Sequence, residues 1–325
     1  MTKLIFTLSL IIFGVLAGYL IQILVRGKIL QLPLTLIQLR VSLQKTALLF
    51  VMPVTIMSAI WVTNLTSPTI STLPIIGLSA IALGGLLSLL LARLFHLSKP
   101  QTGSLFVCGA FSNLGAIGSL VCFIFLGETG FALVPIYKLF EGLFYYSVGF
   151  PIARQFSPDQ QLNEKFTIRI KNIITDPLIF VTVSSILIGI TLNLLKVIRP
   201  DIFSNINSFF IPLGTIMLLI SIGLAMEFKS VVRYIKACLM ISWIKFFMVP
   251  VIITSIAWML GLGDIQNALP LKVVLILSSM PVAFNALIPP SIYKLDLDQA
   301  NACWLFTTTA LLIVLPIQLL LLELF

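Results

Sequence analysis

Two stretches of this chain place a carboxamide beside helix-breaking residues, inside runs otherwise apolar enough to cross a bilayer. They are AFSNLGAIG at 110–118 and VAFNALIPP at 282–290. Asn113 and Asn285 each offer two N–H donors and one carbonyl acceptor, and Ser112 adds a hydroxyl. Gly115 and Gly118 follow Asn113; Pro281 precedes Asn285, and Pro289 and Pro290 follow it. A helix interrupted there leaves backbone N–H and C=O groups that lipid cannot satisfy, so the break persists only where protein buries it or it lines a cavity. The half-helix N-termini carry partial positive charge, which together with the two amides suits a small anion such as a carboxylate. The alternative is that each asparagine only bonds a neighbouring helix. Ser279 and Thr307 to Thr309 are weaker candidates, and close helix packing is the favoured reading for the threonines.

Ionisable side chains inside apolar spans are functional candidates because their burial is costly. Lys138 and Glu141 are three residues apart and share a helical face that Tyr145 continues. They are either a mutually neutralised structural pair or part of a cavity wall beside Asn113. Lys245, five residues before Pro250, is a functional candidate whose structural alternative is snorkelling or pairing with an acid. Asp176 before Pro177 reads as an ordinary helix start. Neither interrupted stretch carries an acid, so Glu141 is the one titrating carboxyl expected near them. No catalytic histidine, paired acids or nucleophile–base set is expected inside the spans, so an enzyme is not expected.

The elements that must position these residues follow from composition. Of 325 residues, 59% are hydrophobic and 10% charged, with a mean hydropathy of +1.14, whereas soluble domains run to about 25% charged. A span needs about 20 apolar residues. Ten candidates occur, at 4–25, 42–63, 73–95, 101–126, 129–153, 174–194, 203–226, 234–260, 270–293 and 297–322. The first follows Lys3 as a signal peptide would, yet it is too long and lacks a small-residue cleavage site, so it is kept as a helix. The expectation is an all-α, multi-pass protein of the cell membrane whose partner is the lipid bilayer.

The net charge of +9 does not imply nucleic acid, because the cations gather in alternate loops. Arg26, Lys28, Arg40 and Lys45 fill the first loop, and Arg93 and Lys99 the third. Arg154, Lys165, Arg169 and Lys171 fill the fifth, and Lys229, Arg233 and Lys236 the seventh. The bias puts those loops in the cytoplasm and both termini outside; Lys196 and Arg199 are a mild exception, tempered by Asp201. Cys108, Cys122, Cys238 and Cys303 lie in spans without a C-x-x-C pair and read as packing residues. No disulfide, metal or cofactor is expected. His96, alone in a basic loop, reads as structural, and Asn64-Leu65-Thr66 is a weak glycosylation pattern.

Short words recur along the chain. MPVTIM at 52–57 matches IPLGTIM at 211–217, AFSN at 110–113 matches AFN at 283–285, and GFPI at 149–152 matches LPIQ at 315–318. Aligning Pro53, Asn113 and Pro151 with Pro212, Asn285 and Pro316 gives offsets of 159, 172 and 165 residues. Residues 1–160 and 161–325 therefore read as two copies of a five-helix unit, and the odd number of spans inverts one copy relative to the other. Inverted repeats with interrupted spans in matching places point to a carrier site near the membrane midplane. Pro53 would form part of the wall facing that site.

Several blocks resemble the auxin efflux carrier family, which includes plant auxin exporters and bacterial permeases within the wider bile-acid-symporter-like group. They are FSNLGAIGSLVCFIFLGETG (111–130), DPLIFVTVSSILIGITLNLL (176–195), IPLGTIMLLISIGLAM (211–226), IKFFMVPVI (244–252) and the long run from Ser278 to Pro316. The resemblance implies ten helices in an inverted five-plus-five arrangement with helices 4 and 9 broken and crossed. It implies a scaffold of helices 1, 2, 6 and 7, and a moving transport part of helices 3–5 and 8–10. It also implies a homodimer joined through the scaffold. The two asparagines that contact a substrate carboxylate in the family match Asn113 and Asn285, and a polar residue on helix 5 falls near Glu141 or Lys138. The Asn-Pro usual at helix 6 is Asp176-Pro177 here, and the long hydrophilic loop of many plant members is replaced by a short link. The expected function is secondary transport of a small organic anion, a carboxylate or auxin-like weak acid, by an elevator-like motion. The rivals are a sodium-coupled organic anion symporter and a membrane sensor without net flux.

Overall fold

A computed structural model of the chain describes residues 2–65, 67–158, 177–226 and 231–323. Lys165, Arg169, Lys171, Asp176, Lys229 and the boundary at 160/161 lie outside the described residues. Fifteen α-helices follow one another among the described residues: α1 (Thr2–Arg26), α2 (Leu36–Thr46), α3 (Met52–Val62), α4 (Leu73–Leu94), α5 (Lys99–Ala110), α6 (Ser119–Tyr137), α7 (Glu141–Phe144) and α8 (Phe150–Gln155), then α9 (Pro177–Leu194), α10 (Ile202–Gly223), α11 (Ile235–Trp243), α12 (Val249–Met259), α13 (Leu269–Ser278), α14 (Ile288–Ile292) and α15 (Leu297–Leu322).

Seven helical stretches among the described residues are long and apolar enough to cross a membrane: Lys3–Arg26, Leu36–Val62, Pro68–Leu94, Leu114–Gln155, Ile202–Gly223, Ile235–Met259 and Leu297–Leu322. Phe180–Leu194 and Gln266–Ser278 are shorter apolar helices. The chain is thus an all-α, multi-pass membrane protein. The sequence-expected spans 101–126 and 270–293 are both divided, the first after Ala110 and the second after Ser278. The stretch Leu114–Gln155 runs across the expected boundary between spans four and five. It is interrupted at Gly127, whose φ of 77° glycine adopts without strain, and again at 138–140, between α6 and α7.

Prolines shape three of the long helices. A proline inside a helix lacks the N–H and clashes with the carbonyl four residues before it. The clash is relieved here by a widened π-turn immediately upstream: Ala47–Val51 before Pro53, Tyr145–Gly149 before Pro151, and Ile244–Met248 before Pro250. Such a turn inserts a residue into the helical count and re-aims the side chains within it.

The chain divides into two compact units. The first comprises Met1–Thr66, Gly115–Pro135 and Pro177–Met226; the second comprises Ser67–Leu114, Ile136–Asp176 and Glu227–Phe325. In the first, α1 and α10 meet at glycines: a Cβ on Gly18 would lie 2.1 Å from the Ile220 carbonyl oxygen, and one on Gly223 2.1 Å from that of Val15. Small residues at such crossings let two backbones touch where no hydrophobic force drives helices together. Ile56, Ala59, Ile60, Ile186 and Ile211 form the core between α3, α9 and α10. A polar cluster completes this unit. Arg199 pairs with Glu128, donates to the Ser58 carbonyl at 3.1 Å, and shares Glu128 with the Asn207 amide.

In the second unit the same device joins α4 to α5. A Cβ on Gly84 would lie 2.3 Å from the Gly109 carbonyl oxygen, and one on Gly109 2.5 Å from that of Gly84. The start of α15 is tied to α5 by Ser104 Oγ, which donates to the Asp296 carbonyl at 2.8 Å, and by Gln299 Nε2, which donates to the Gln101 carbonyl at 3.0 Å. Asp296 also accepts from the Gln299 N–H at 3.0 Å, capping α15. These ties fix the first half of α5, the helix whose far end opens into the first break.

Candidate functional site

Both breaks lie in the second unit, and they touch. After Ala110 the chain turns extended at Phe111, with φ −89° and ψ 119°. After Ser278 it runs through Pro281 to Ala283, which has φ −72° and ψ 150°. The two extended pieces pair as one antiparallel bridge, Ser112 opposite Val282. The Asn113 N–H donates to the Pro281 carbonyl at 2.8 Å, and the Ala283 N–H donates to the Phe111 carbonyl at 2.9 Å. Each break supplies the partners that the other lacks, which is how irregular backbone survives at membrane depth.

The remaining amides are also engaged. The Val282 N–H donates to Thr307 Oγ1 at 3.2 Å, and the Ser112 N–H to the Tyr145 hydroxyl at 3.2 Å. Thr307, read from sequence as a packing residue, thus holds the second break to α15. The N–H groups of residues 112, 113, 282 and 283 are therefore spent on the crossing and do not point at a ligand.

A chain of polar side chains leads to the bridge. Lys138 and Glu141 form an ion pair at 3.3 Å, with side chains 25% and 14% exposed. The Tyr145 hydroxyl donates to Glu141 Oε1 at 2.9 Å and accepts from Ser112 as above. The Tyr145 ring stacks on Phe111, centroids 3.7 Å apart and 16° between planes. From the opposite side, Lys245 Nζ donates to Ser112 Oγ at 2.7 Å.

Lys245 is 2% exposed. It neither snorkels nor forms an ion pair among the described residues, contrary to both structural alternatives read from sequence. It sits in the π-turn Ile244–Met248, which the proline at 250 induces and which turns it into the unit. Glu141 acts on it only at longer range. Ser112 Oγ is its one hydrogen-bond partner among the described residues, leaving an ammonium with three donors in contact with a single neutral acceptor. With Lys245 protonated, the cluster holds two cations, Lys138 and Lys245, against one anion, Glu141.

The structure brings Ser112, Asn113, Pro281, Tyr145, Glu141 and Lys138 together around this crossing. The two asparagines are not equivalent. Asn113 is 7% exposed, whereas Asn285, in the short 3-10 turn Phe284–Leu287, is exposed; its carbonyl accepts from the Ile288 N–H, and its side chain has no hydrogen-bond partner among the described residues. Pro53 is buried in the first unit, at the head of α3. The sequence-level signal for Lys245 was its place just upstream of a proline, the same signal that Tyr145 carries before Pro151.

The Ser112–Lys245 contact is a hydroxyl–amine pair of the kind that serves as nucleophile and base in some hydrolases, and it was not expected from sequence. Acyl transfer also needs N–H donors converging on a developing oxyanion, and the four nearest amides are already bonded. Among the described residues no group of histidine, cysteine, aspartate or glutamate side chains is arranged to hold a metal ion. No known family model matches the chain, and no curated protein is significantly similar to it.

Proposed function

We propose that this protein is a secondary transporter of a small organic anion, related to the auxin efflux carriers that its sequence blocks resemble. The carboxylate of the substrate sits beside Ser112, Asn113 and Asn285 at the crossing of the two breaks, with Pro281 shaping the second break. The observation that carries this reading is Lys245, a buried amine at the crossing whose one side-chain hydrogen-bond partner among the described residues is a hydroxyl, and which a bound anion would hold protonated. A buried ion costs several kcal/mol unless an opposite charge and good hydrogen bonds accompany it, and one hydroxyl bonded to the charge supplies only about 1.5–3 kcal/mol of that. An anion supplies the rest. Glu141, near enough to repel an anion if it were free, is neutralised by Lys138 and held by Tyr145, so the site keeps a net positive charge.

The transport cycle in this reading moves the second unit, which carries the whole crossing. The first unit, corresponding to helices 1, 2 and 6 to 7 of the ten-span reading plus part of the fourth and fifth, serves as the scaffold through which two copies associate. The inverted repeat accounts for two matched breaks in one chain. Membership of the auxin efflux carrier family belongs to this same reading, as do the ten-span inverted topology with outside termini and the homodimer.

Uptake or counterflow of labelled carboxylates by the purified protein in liposomes tests it. Asn113→Ala and Asn285→Ala should abolish anion binding and flux while the protein stays folded. Normal transport by both variants sinks the assignment. A flux that requires sodium points to the symporter rival, and binding without flux to a sensor. Covalent labelling of Ser112 by a fluorophosphonate would instead favour the hydrolase chemistry of the Ser112–Lys245 pair.

A further inference from the structure

Resting on that anion site, the charges around the crossing say how many negative charges its ligand carries. Lys245 lies near the middle of the stretch Ile235–Met259, where an uncompensated charge is most costly. The ionisable groups whose charges act on it are Cys108, from α5, and Glu141, from α7. Glu141 is already committed, one oxygen to Lys138 and the other to Tyr145. Of the elements packed on the same π-turn, α12 has no ionisable side chain, α4 has only Arg93 in its last turn, and α11 has Cys238 and the exposed Lys236. After Lys138 and Glu141 cancel, protonated Lys245 is the one positive charge left at the crossing among the described residues.

We infer that Lys245 is the counter-charge of the substrate and that the site selects monovalent carboxylates over divalent ones. One carboxylate on Lys245 Nζ neutralises the ammonium and fills its unused donors. Ser112 Oγ, which accepts from Lys245, has its own O–H left to donate to the same ligand. A second carboxylate on the ligand would find no further unpaired cation among the described residues at the crossing. It would carry one uncompensated charge into mid-membrane surroundings, a penalty on the order of 100-fold in affinity.

Three probes of shared shape test this by calorimetric titration of the detergent-solubilised full chain at neutral pH. They are benzoate, phthalate and monomethyl phthalate, the last with the bulk of phthalate and the charge of benzoate. The expected result is binding of monomethyl phthalate about 100-fold tighter than phthalate, with benzoate grouped with the monoester. A preference under tenfold, or the reverse order, overturns the inference while the anion site stands. Binding of none of the three removes the anion site itself, and the inference with it. Lys245→Gln should erase the preference between monoester and diacid, and Lys245→Arg should keep it. A preference that survives Lys245→Gln shows that another cation sets it and overturns the assignment. Should Lys245→Gln fail to fold, the wild-type comparison still decides the charge preference.

Discussion

The Tyr145 hydroxyl is the single atom that joins the Lys138–Glu141 pair to the backbone of the first break, and Tyr145→Phe removes it alone. The phenylalanine ring keeps the stack on Phe111 at 3.7 Å, so apolar contact changes little. Two hydrogen bonds are lost: the donation to Glu141 Oε1 at 2.9 Å and the acceptance from Ser112 N–H at 3.2 Å. In water-soluble proteins a bond to a charged group contributes about 1.5–3 kcal/mol, and a stranded buried donor costs about 1–3 kcal/mol. Side-chain bonds inside membrane proteins average only about 0.6 kcal/mol, with a ceiling near 1.7 kcal/mol, because the unfolded helices find other partners. Glu141 also keeps Lys138. The membrane figures therefore apply, and the two losses together come to about 1–3 kcal/mol. All four cysteines are buried, so labelling by a thiol-reactive fluorescent maleimide on heating reports unfolding without an added probe. Tyr145→Phe should label at a lower temperature than wild type and bind benzoate more weakly, since Ser112 loses the contact that orients it. Tyr145→Leu, which also removes the stack, should fall further. A Tyr145→Phe variant with unchanged melting and unchanged benzoate affinity would refute the view that this hydroxyl organises the site.

Other positions separate structure from function. Asn285→Ala should change stability by less than about 0.5 kcal/mol, as surface substitutions do, while removing anion binding; a large loss of stability there would reveal a structural role. In the first unit, Glu128→Gln leaves Arg199 without its carboxylate and should destabilise by about 3 kcal/mol, the low end for a broken buried pair because the side chains are 12% and 19% exposed. The same thiol-labelling melt reads this, with Cys122 as the reporter in that unit. Gly109→Ala should fold poorly, since its Cβ would sit 2.5 Å from the Gly84 carbonyl oxygen. Gly127→Ala, with nothing within 4 Å of its Cβ, should cost the roughly 1–3 kcal/mol of backbone strain at φ 77° and ψ −166°, a conformation nearly reserved to glycine.

The sequence carried much of this site because its signals were local. Two carboxamides beside glycine and proline marked both breaks, and the three-residue spacing of Lys138 and Glu141 announced their ion pair. What it did not carry was long-range. Nothing in AFSN or VAFN says that the two breaks would bond to each other through the backbone, the Asn113 N–H to Pro281 and the Ala283 N–H to Phe111. Lys245 was visible as a charge in a span but not as the centre of the cluster. Its direction depends on the π-turn that Pro250 imposes, a shift of helical register that simple periodicity does not anticipate. Thr307 looked like any small residue of a packed helix until its hydroxyl was found capping Val282. The non-equivalence of Asn113 and Asn285 likewise depends on packing around each break rather than on the words they share.

The bridge between Ser112 and Val282 is made of main-chain amides, which every residue but proline owns. Side chains lining the crossing are therefore free to diverge, and ligand preference with them, without loosening the joint that holds the two half-helices. A lineage could retune charge at position 245 or bulk at position 112 by single steps and keep a working frame. Only loss of a donor at 113 or 283, as an imino acid there would bring, takes the joint apart.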